Sequence, residues 1–185
     1  APRERGDSRC RETPPGYYAY NAGNWRIYAL NSASVNKATE LSWLQADLAS
    51  NPRQCVIAYA HPPVYTAGPP DNDEGGMREI WRALWDAGAD VFLFGHDHSL
   101  QVYSRLNRDG TGPDPSGMRE IIVGTGGRNL TTQTRAPAGL EVAMDGNTNP
   151  TFGVGKFTLR DGSYDWSFLP TVSGGFTTSG SDVCR

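Results

Sequence analysis

The spacing of apolar positions changes along this chain, and the changes mark its elements. After a polar, proline-containing stretch over residues 1–15, expected to be a loop, aromatic and β-branched residues gather at Tyr17, Tyr18 and Tyr20 and again from Trp25 to Leu30. Between them Asn21-Ala22-Gly23-Asn24 is turn chemistry, so the pair predicts a β-hairpin. From Thr39 to Ser50 the period lengthens: Leu41, Leu44 and Leu48, with Trp43, recur at helical spacing until Asn51-Pro52 stops the run. Cys55 to Tyr59 is short and almost wholly apolar, as a strand covered on both faces of a parallel or mixed sheet must be. A second helix is expected over Met77 to Ala87, with Ile80, Trp81, Leu84 and Trp85 on one side and Gly88 ending it. Asp90 to Phe94 repeats the buried-strand pattern.

After that strand the period settles at two. Leu100 to Leu106, Arg119 to Val123, Phe152 to Leu159 and Tyr164 to Leu169 predict strands, the last two joined through Asp161-Gly162, a strong hairpin signal. Asp109 to Gly117 is a Gly/Pro turn cluster, and Thr171 to Ser181 predicts a flexible tail. The organisation expected is a loop over 1–15, one core over 16–170 and a tail over 171–185, in the α/β (α+β) class.

The strand exits carry the candidate chemistry. All three histidines of the chain fall just after apolar strands: His61 in Ala60-His61-Pro62-Pro63, and His96 and His98 in Gly95-His96-Asp97-His98. A single histidine at a strand end, as His61 would be alone, is more often a hydrogen-bonded structural residue than a ligand. Two imidazoles one residue apart after a glycine, with none used elsewhere, point instead to metal ligation. Open α/β sheets bind ligands beyond the carboxyl ends of their strands, which is where these three residues lie. Asp97, between two of them, is either a carboxylate orienting an imidazole or a side chain on the opposite face. Tyr65 and Asn72, in the Pro/Gly-rich loop after His61, are candidate substrate-lining residues.

Charge changes the picture little. The net charge of -3 is small and the 17 basic residues, all arginine except Lys37 and Lys156, are dispersed, so no surface for nucleic acid or membrane is evident. No apolar run reaches the length of a membrane span. Cys10, Cys55 and Cys184 are too far apart for a zinc ribbon, and their odd number leaves at least one thiol without a partner within the chain. Cys184 sits where a disulfide pins the end of a secreted protein, whereas Cys55 reads equally well as a small core residue.

Gly95-His96-Asp97-His98, preceded by a strand ending in His61, resembles the carboxy-terminal signature of calcineurin-like metallophosphoesterases, above all secreted bacterial members similar to purple acid phosphatases. The resemblance extends to Gly16-Tyr17-Tyr18-Ala19-Tyr20, to Trp43-Leu44-Gln45-Ala46-Asp47-Leu48, to Gly124-Thr125-Gly126-Gly127 and to Tyr164-Asp165-Trp166 with Cys184. It implies a four-layer sandwich of two mixed β-sheets flanked by helices, and a phosphoester hydrolase with two metal ions of iron, zinc or manganese. His61 and His96 would bind one ion and His98 the other. The ions would activate a bridging hydroxide against phosphorus. The family's Asp-x-His, Gly-Asp and Gly-Asn-His segments are absent, because Gly6-Asp7 follows no apolar strand and Gly23-Asn24 precedes Trp25.

The chain therefore reads as the carboxy-terminal half of one such domain, active only with the amino-terminal half as its partner. The other reading is a non-catalytic metal-binding or interaction domain. A secreted, extracellular location is expected.

Overall fold

The computed structural model describes residues 16–33, 37–69 and 75–185. Ten strands and two helices follow the order β1 (Tyr18–Ala22), β2 (Trp25–Ala29), α1 (Lys37–Ser50), β3 (Cys55–Tyr59), α2 (Arg78–Asp86), β4 (Val91–Phe94), β5 (Leu100–Leu106), β6 (Met118–Val123), β7 (Leu140–Met144), β8 (Gly153–Arg160), β9 (Ser163–Pro170) and β10 (Thr178–Val183). A short 3-10 turn over Gly75–Met77 leads into α2. Both hairpins form where the turn residues place them, with Ala22 opposite Trp25 and Arg160 opposite Ser163.

Seven strands make one mixed sheet in the order β1-β2-β3-β4-β6-β5-β7, and β10-β9-β8 make a smaller one. β2, β3, β4 and β6 run parallel at the centre of the large sheet, as their two-sided apolar character requires. The small sheet is antiparallel in the strands described. The molecule is thus a mixed α/β sandwich, in which the described residues make three layers.

Each central strand feeds two cores. On one face Val56, Ala58, Phe92, Phe94 and Ile122 pack with Leu44, Ile80, Trp81 and Leu84 of the two helices. On the other, Cys55, Ile57, Val91 and Ile121 pack with Tyr164, Trp166 and Phe168 of β9. Full burial of such side chains stabilises by roughly 1.5–3 kcal/mol each. Helix α1 is also fixed by an ion pair: Arg26, 1% exposed, donates to Asp47 at 2.6–2.9 Å, and the Tyr28 hydroxyl donates to the same carboxylate at 2.9 Å.

Two expectations need correction. The tail is not a free end over its whole length, because Thr178–Val183 pairs with β9 from Thr178↔Phe168 to Val183↔Ser163. Its sequence lacks an apolar stripe, so the ladder and the contacts at its end make it a strand. β7 was not expected either. Its alternation between Leu140 and Met144 is brief, and its place is an edge against β5. Cys10 lies outside the described residues, while Cys55 and Cys184 form a disulfide, with Cα atoms 5.4 Å apart. Among the described residues no helix is long and apolar enough to cross a membrane.

Candidate metal centre

The parallel ladder continues past the formal ends of β3 and β4 and carries the histidines with it. Ala60 N–H donates to the Leu93 carbonyl at 3.0 Å, and Gly95 N–H donates to the His61 carbonyl at 3.0 Å. The His61 amide donates in turn to the Ser32 hydroxyl, just beyond β2, at 3.3 Å. Three neighbouring strand exits are therefore tied at one level. His61 and His96 meet with ring centroids 5.2 Å apart at an interplanar angle of 83°. His96 has φ of 65°, left-handed backbone that few non-glycine residues adopt and that concentrates at functional sites.

His98 is fixed differently. Its Nδ1 lies 2.9 Å from the Asn129 carbonyl, and a carbonyl can only accept, so Nδ1 carries the proton and Nε2 keeps its lone pair. That is the tautomer a metal ligand needs. The Thr131 amide donates to the His98 carbonyl at 3.0 Å, clamping the residue from the same loop. Burial pushes the His61 imidazole below its ordinary pKa, and the neighbouring His96 and His98 push it further down, so His61 stays neutral to lower pH.

The three imidazoles do not form a cluster around one point. Among the described residues, the group of three potential ligands with donor atoms all within 4.8 Å of one another is Cys55, Asp90 and Cys184. Its two sulfurs are already joined to each other, so it offers no thiolate to an ion. The histidines instead present a close pair, His61 and His96, with His98 two residues further along the same loop. This arrangement fits the imidazole share of a two-ion site; three imidazoles alone do not complete the coordination of two ions.

Asp97, between His96 and His98, is held by side chains of two other segments. It is 1% exposed, and its Oδ2 accepts hydrogen bonds from the Thr66 hydroxyl and, at 3.1 Å, from the Gln101 amide. The carboxylate sits so close to the loop after His61 that a Cβ on Gly68 would lie 2.3 Å from Oδ2. On its other side a Cβ on Gly124 would lie 1.8 Å from the Asp97 carbonyl oxygen, so Gly124-Thr125-Gly126-Gly127 begins with a glycine that packing demands.

Tyr65 packs with its ring edge-on to Trp81 at 5.2 Å and under the Arg78 guanidinium at 6.0 Å. These are contacts with the helical layer, where burial pushes its phenol up to about 12. Asn72 lies outside the described residues. Sequence reasoning missed Thr66, Gln101 and the carbonyl of Asn129, since neither a buried glutamine nor a backbone oxygen has a pattern to find.

No protein-family model matches the chain, and no curated protein matches it in sequence. Solved structures do match. A purple acid phosphatase, PPD1, from seeds of yellow lupin (Lupinus luteus) superposes with a TM-score of 0.67 at 16% identity, over 89% of this chain and 32% of its own. PhoD gives 0.63 at 13%, over 91% and 42%. GAP50, described as the anchor in the inner membrane complex of Plasmodium, gives 0.66 at 14%, over 91% and 53%. The chain shares its fold with these proteins and spans about half of their length or less.

Proposed function

We propose that this chain is the histidine-bearing part of a metal-dependent phosphoester hydrolase of the metallophosphoesterase type. The observation that carries the reading is the meeting of His61 and His96 at the exits of adjacent parallel strands, with rings 5.2 Å apart. The fold shared with a purple acid phosphatase and PhoD supports it. In this reading His61 and His96 hold one ion of iron, zinc or manganese and His98 holds a second. A pair of such cations would supply Lewis-acid neutralisation of phosphoryl charge and a lowered pKa for water.

The chain's own residues do the preparatory work. The Asn129 carbonyl keeps the His98 proton on Nδ1 and so leaves Nε2 as the donor atom. The left-handed backbone at His96 turns the chain between two ligands separated only by Asp97. Ser32 and the β4 ladder hold the His61 backbone at the same level as Gly95. Carboxylate and asparagine donors for the rest of the site come, in this proposal, from polypeptide outside this chain that completes the sandwich. The disulfide suits an oxidising, extracellular compartment.

The test is hydrolysis of a nitrophenyl phosphate. The metal-loaded 185-residue chain alone should show no turnover, and the chain joined to the polypeptide supplying the other donors should show it. Full turnover by the isolated chain would sink the two-ion reading. One neighbour is described as an anchor, so a non-catalytic interaction domain is the second reading. Retained turnover on removal of His98 would turn the balance toward it.

A further inference from the structure

The buried polar side chains beneath the histidine loops form a connected set. Thr66 follows His61 on the loop after β3, Asp97 separates His96 from His98, and Gln101 is the second residue of β5. All three are 0–2% exposed. The Thr66 hydroxyl donates to Asp97 Oδ2. The Gln101 amide nitrogen lies 3.1 Å from Asp97 Oδ2, 3.1 Å from Thr66 Oγ1 and 3.0 Å from Ser99 Oγ. Its oxygen accepts from the Ala67 amide at 2.8 Å and the Tyr103 hydroxyl at 2.9 Å. The Gly68 amide closes the loop onto Thr66 Oγ1 at 2.9 Å.

The cost of such a set is considerable if it served the fold alone. Gln101 stands in a strand whose neighbours Leu100, Val102 and Tyr103 are 0–1% exposed, and an apolar residue of similar volume would fill its place without needing polar partners. What the polar contacts add is a fixed distance. Apolar packing tolerates sliding, whereas a saturated network of directional bonds has one arrangement. This network joins the loop that begins with His61 to the loop that carries His96 and His98. Both remaining sides are closed by backbone, at Gly68 and at Gly124, where no side chain fits.

We infer that Thr66, Asp97 and Gln101 are positioning residues whose network sets the spacing of His61 against His96 and His98. The inference rests on the proposed hydrolase reading for its purpose, though not for its geometry. With three histidines in the chain, ring-proton spectra of the 185-residue protein are simple to assign. The wild type should show a cross-relaxation contact between the His61 and His96 rings without any metal. Zn2+ should then shift all three ring signals.

Thr66→Val keeps the shape and removes the hydroxyl. It should abolish the ring contact and weaken Zn2+ binding by about 10- to 100-fold, and Thr66→Ser should restore both. Gln101→Leu, which removes the other donor to Asp97 Oδ2, should repeat the Val result if Thr66→Val does not fold. Val102→Ala, on the other face of β5, should lower the melting temperature while leaving ring contact and Zn2+ affinity as they are. Loss of melting temperature in Thr66→Val or Gln101→Leu with the ring contact and affinity retained would overturn the inference, as would absence of the contact in the wild type. A wild type with the contact and its loss in Thr66→Val, but with no response to Zn2+ either alone or joined to the polypeptide supplying the other donors, would keep the spacing role and remove the hydrolase reading.

Discussion

Cys184 is bonded to Cys55 across 129 residues, joining the end of the small sheet to the beginning of β3 in the large one. The contact does not stand alone. The Cys184 amide donates to the Gly162 carbonyl at 2.9 Å, and the Arg185 amide donates to Asp90 at 2.8 Å. The Arg185 guanidinium lies over Trp85 at 4.9 Å and donates to the carbonyls of Ala89, Trp85 and Ser116. The two sheets are therefore clasped at the pole opposite the histidines.

Cys184→Ser should lower unfolding stability by roughly 3–5 kcal/mol, since closure of so long a loop restricts the unfolded chain strongly. Urea titrations with and without reductant measure it: reductant should reduce the wild type to the level of the variant. The contact between the His61 and His96 rings should survive in the molecules that remain folded, because Cys55 opens β3 and His61 lies past its other end. An unchanged urea midpoint would show that the disulfide adds nothing to the clasp.

Asp90 gives that clasp a pH dependence. Its carboxylate accepts the Val56 and Arg185 amides at 2.8 Å each, yet burial outweighs them and pushes its pKa up to about 6. A carboxyl raised on folding is held more tightly by protons in the folded state, so its contribution is full below about pH 4, its unfolded range, and is lost as pH rises to about 6. The loss should be about 2–3 kcal/mol. Asp182 and Asp145 act in the opposite sense: against burial, Arg105 holds the first low and backbone amides hold the second low. The Asp90 effect is therefore read as the difference between wild type and Asp90→Asn in urea midpoints from pH 3.5 to 7.5. A difference independent of pH would show that folding leaves the Asp90 carboxyl at its unfolded pKa.

Much of this architecture is legible in the sequence, and the parts that are not share a cause. β3 and β4 are apolar because both of their faces are covered, and the α2 stripe of Ile80, Trp81 and Leu84 is apolar because it lies on the sheet. Burial writes such patterns directly. Thr178–Val183 has no such pattern, because a ladder to β9 and a covalent end hold it. The same contrast divides the candidate site. The histidines are rare enough to be conspicuous, and their strand-exit positions follow from the period of the chain. Thr66 and Gln101 are common residue types whose role depends on which loop they meet, and only three-dimensional contact supplies that. Tyr65 shows the converse: a loop tyrosine near a histidine looks available, but Trp81 and Arg78 occupy its ring.

Gly124 provides a test that removes no ligand atom. A Cβ there would come within 1.8 Å of the Asp97 carbonyl oxygen and 3.2 Å of the His98 Cα, so Gly124→Ala must displace backbone rather than a flexible side chain. We expect about 2–3 kcal/mol of destabilisation from this overpacking. In the folded fraction the His98 Nδ1 contact with Asn129 should weaken, seen as a change in the tautomer-sensitive nitrogen shifts of that ring. Wild-type shifts in the variant would mean that the loop absorbs the methyl group elsewhere.

The roles of His98 and Trp81 can be separated by one pair of substitutions. His98 is half-buried at a loop, and its ring is held by the Asn129 carbonyl. Removing it takes away a donor atom and little packing, so His98→Ala should stay within about 1 kcal/mol of wild type. Turnover by the protein carrying the complete site should disappear. Trp81 is fully buried on α2, stacked on Phe92 at 6.4 Å, with its indole N–H donating to the Arg108 carbonyl at 3.1 Å. Trp81→Ala leaves a cavity and removes the hydrogen bond to the Arg108 carbonyl, and should destabilise by roughly 3–5 kcal/mol. The molecules that still fold should keep Zn2+ binding and turnover, because the cavity opens on the helical side of the sheet. Near-UV dichroism together with the nitrophenyl phosphate assay distinguishes the outcomes. Loss of turnover with retained dichroism in His98→Ala supports ligation, and retained turnover assigns the histidine to structure. Equal unfolding of both variants would mean that the ion and the fold are coupled, with the strand exits ordered by the metal they hold.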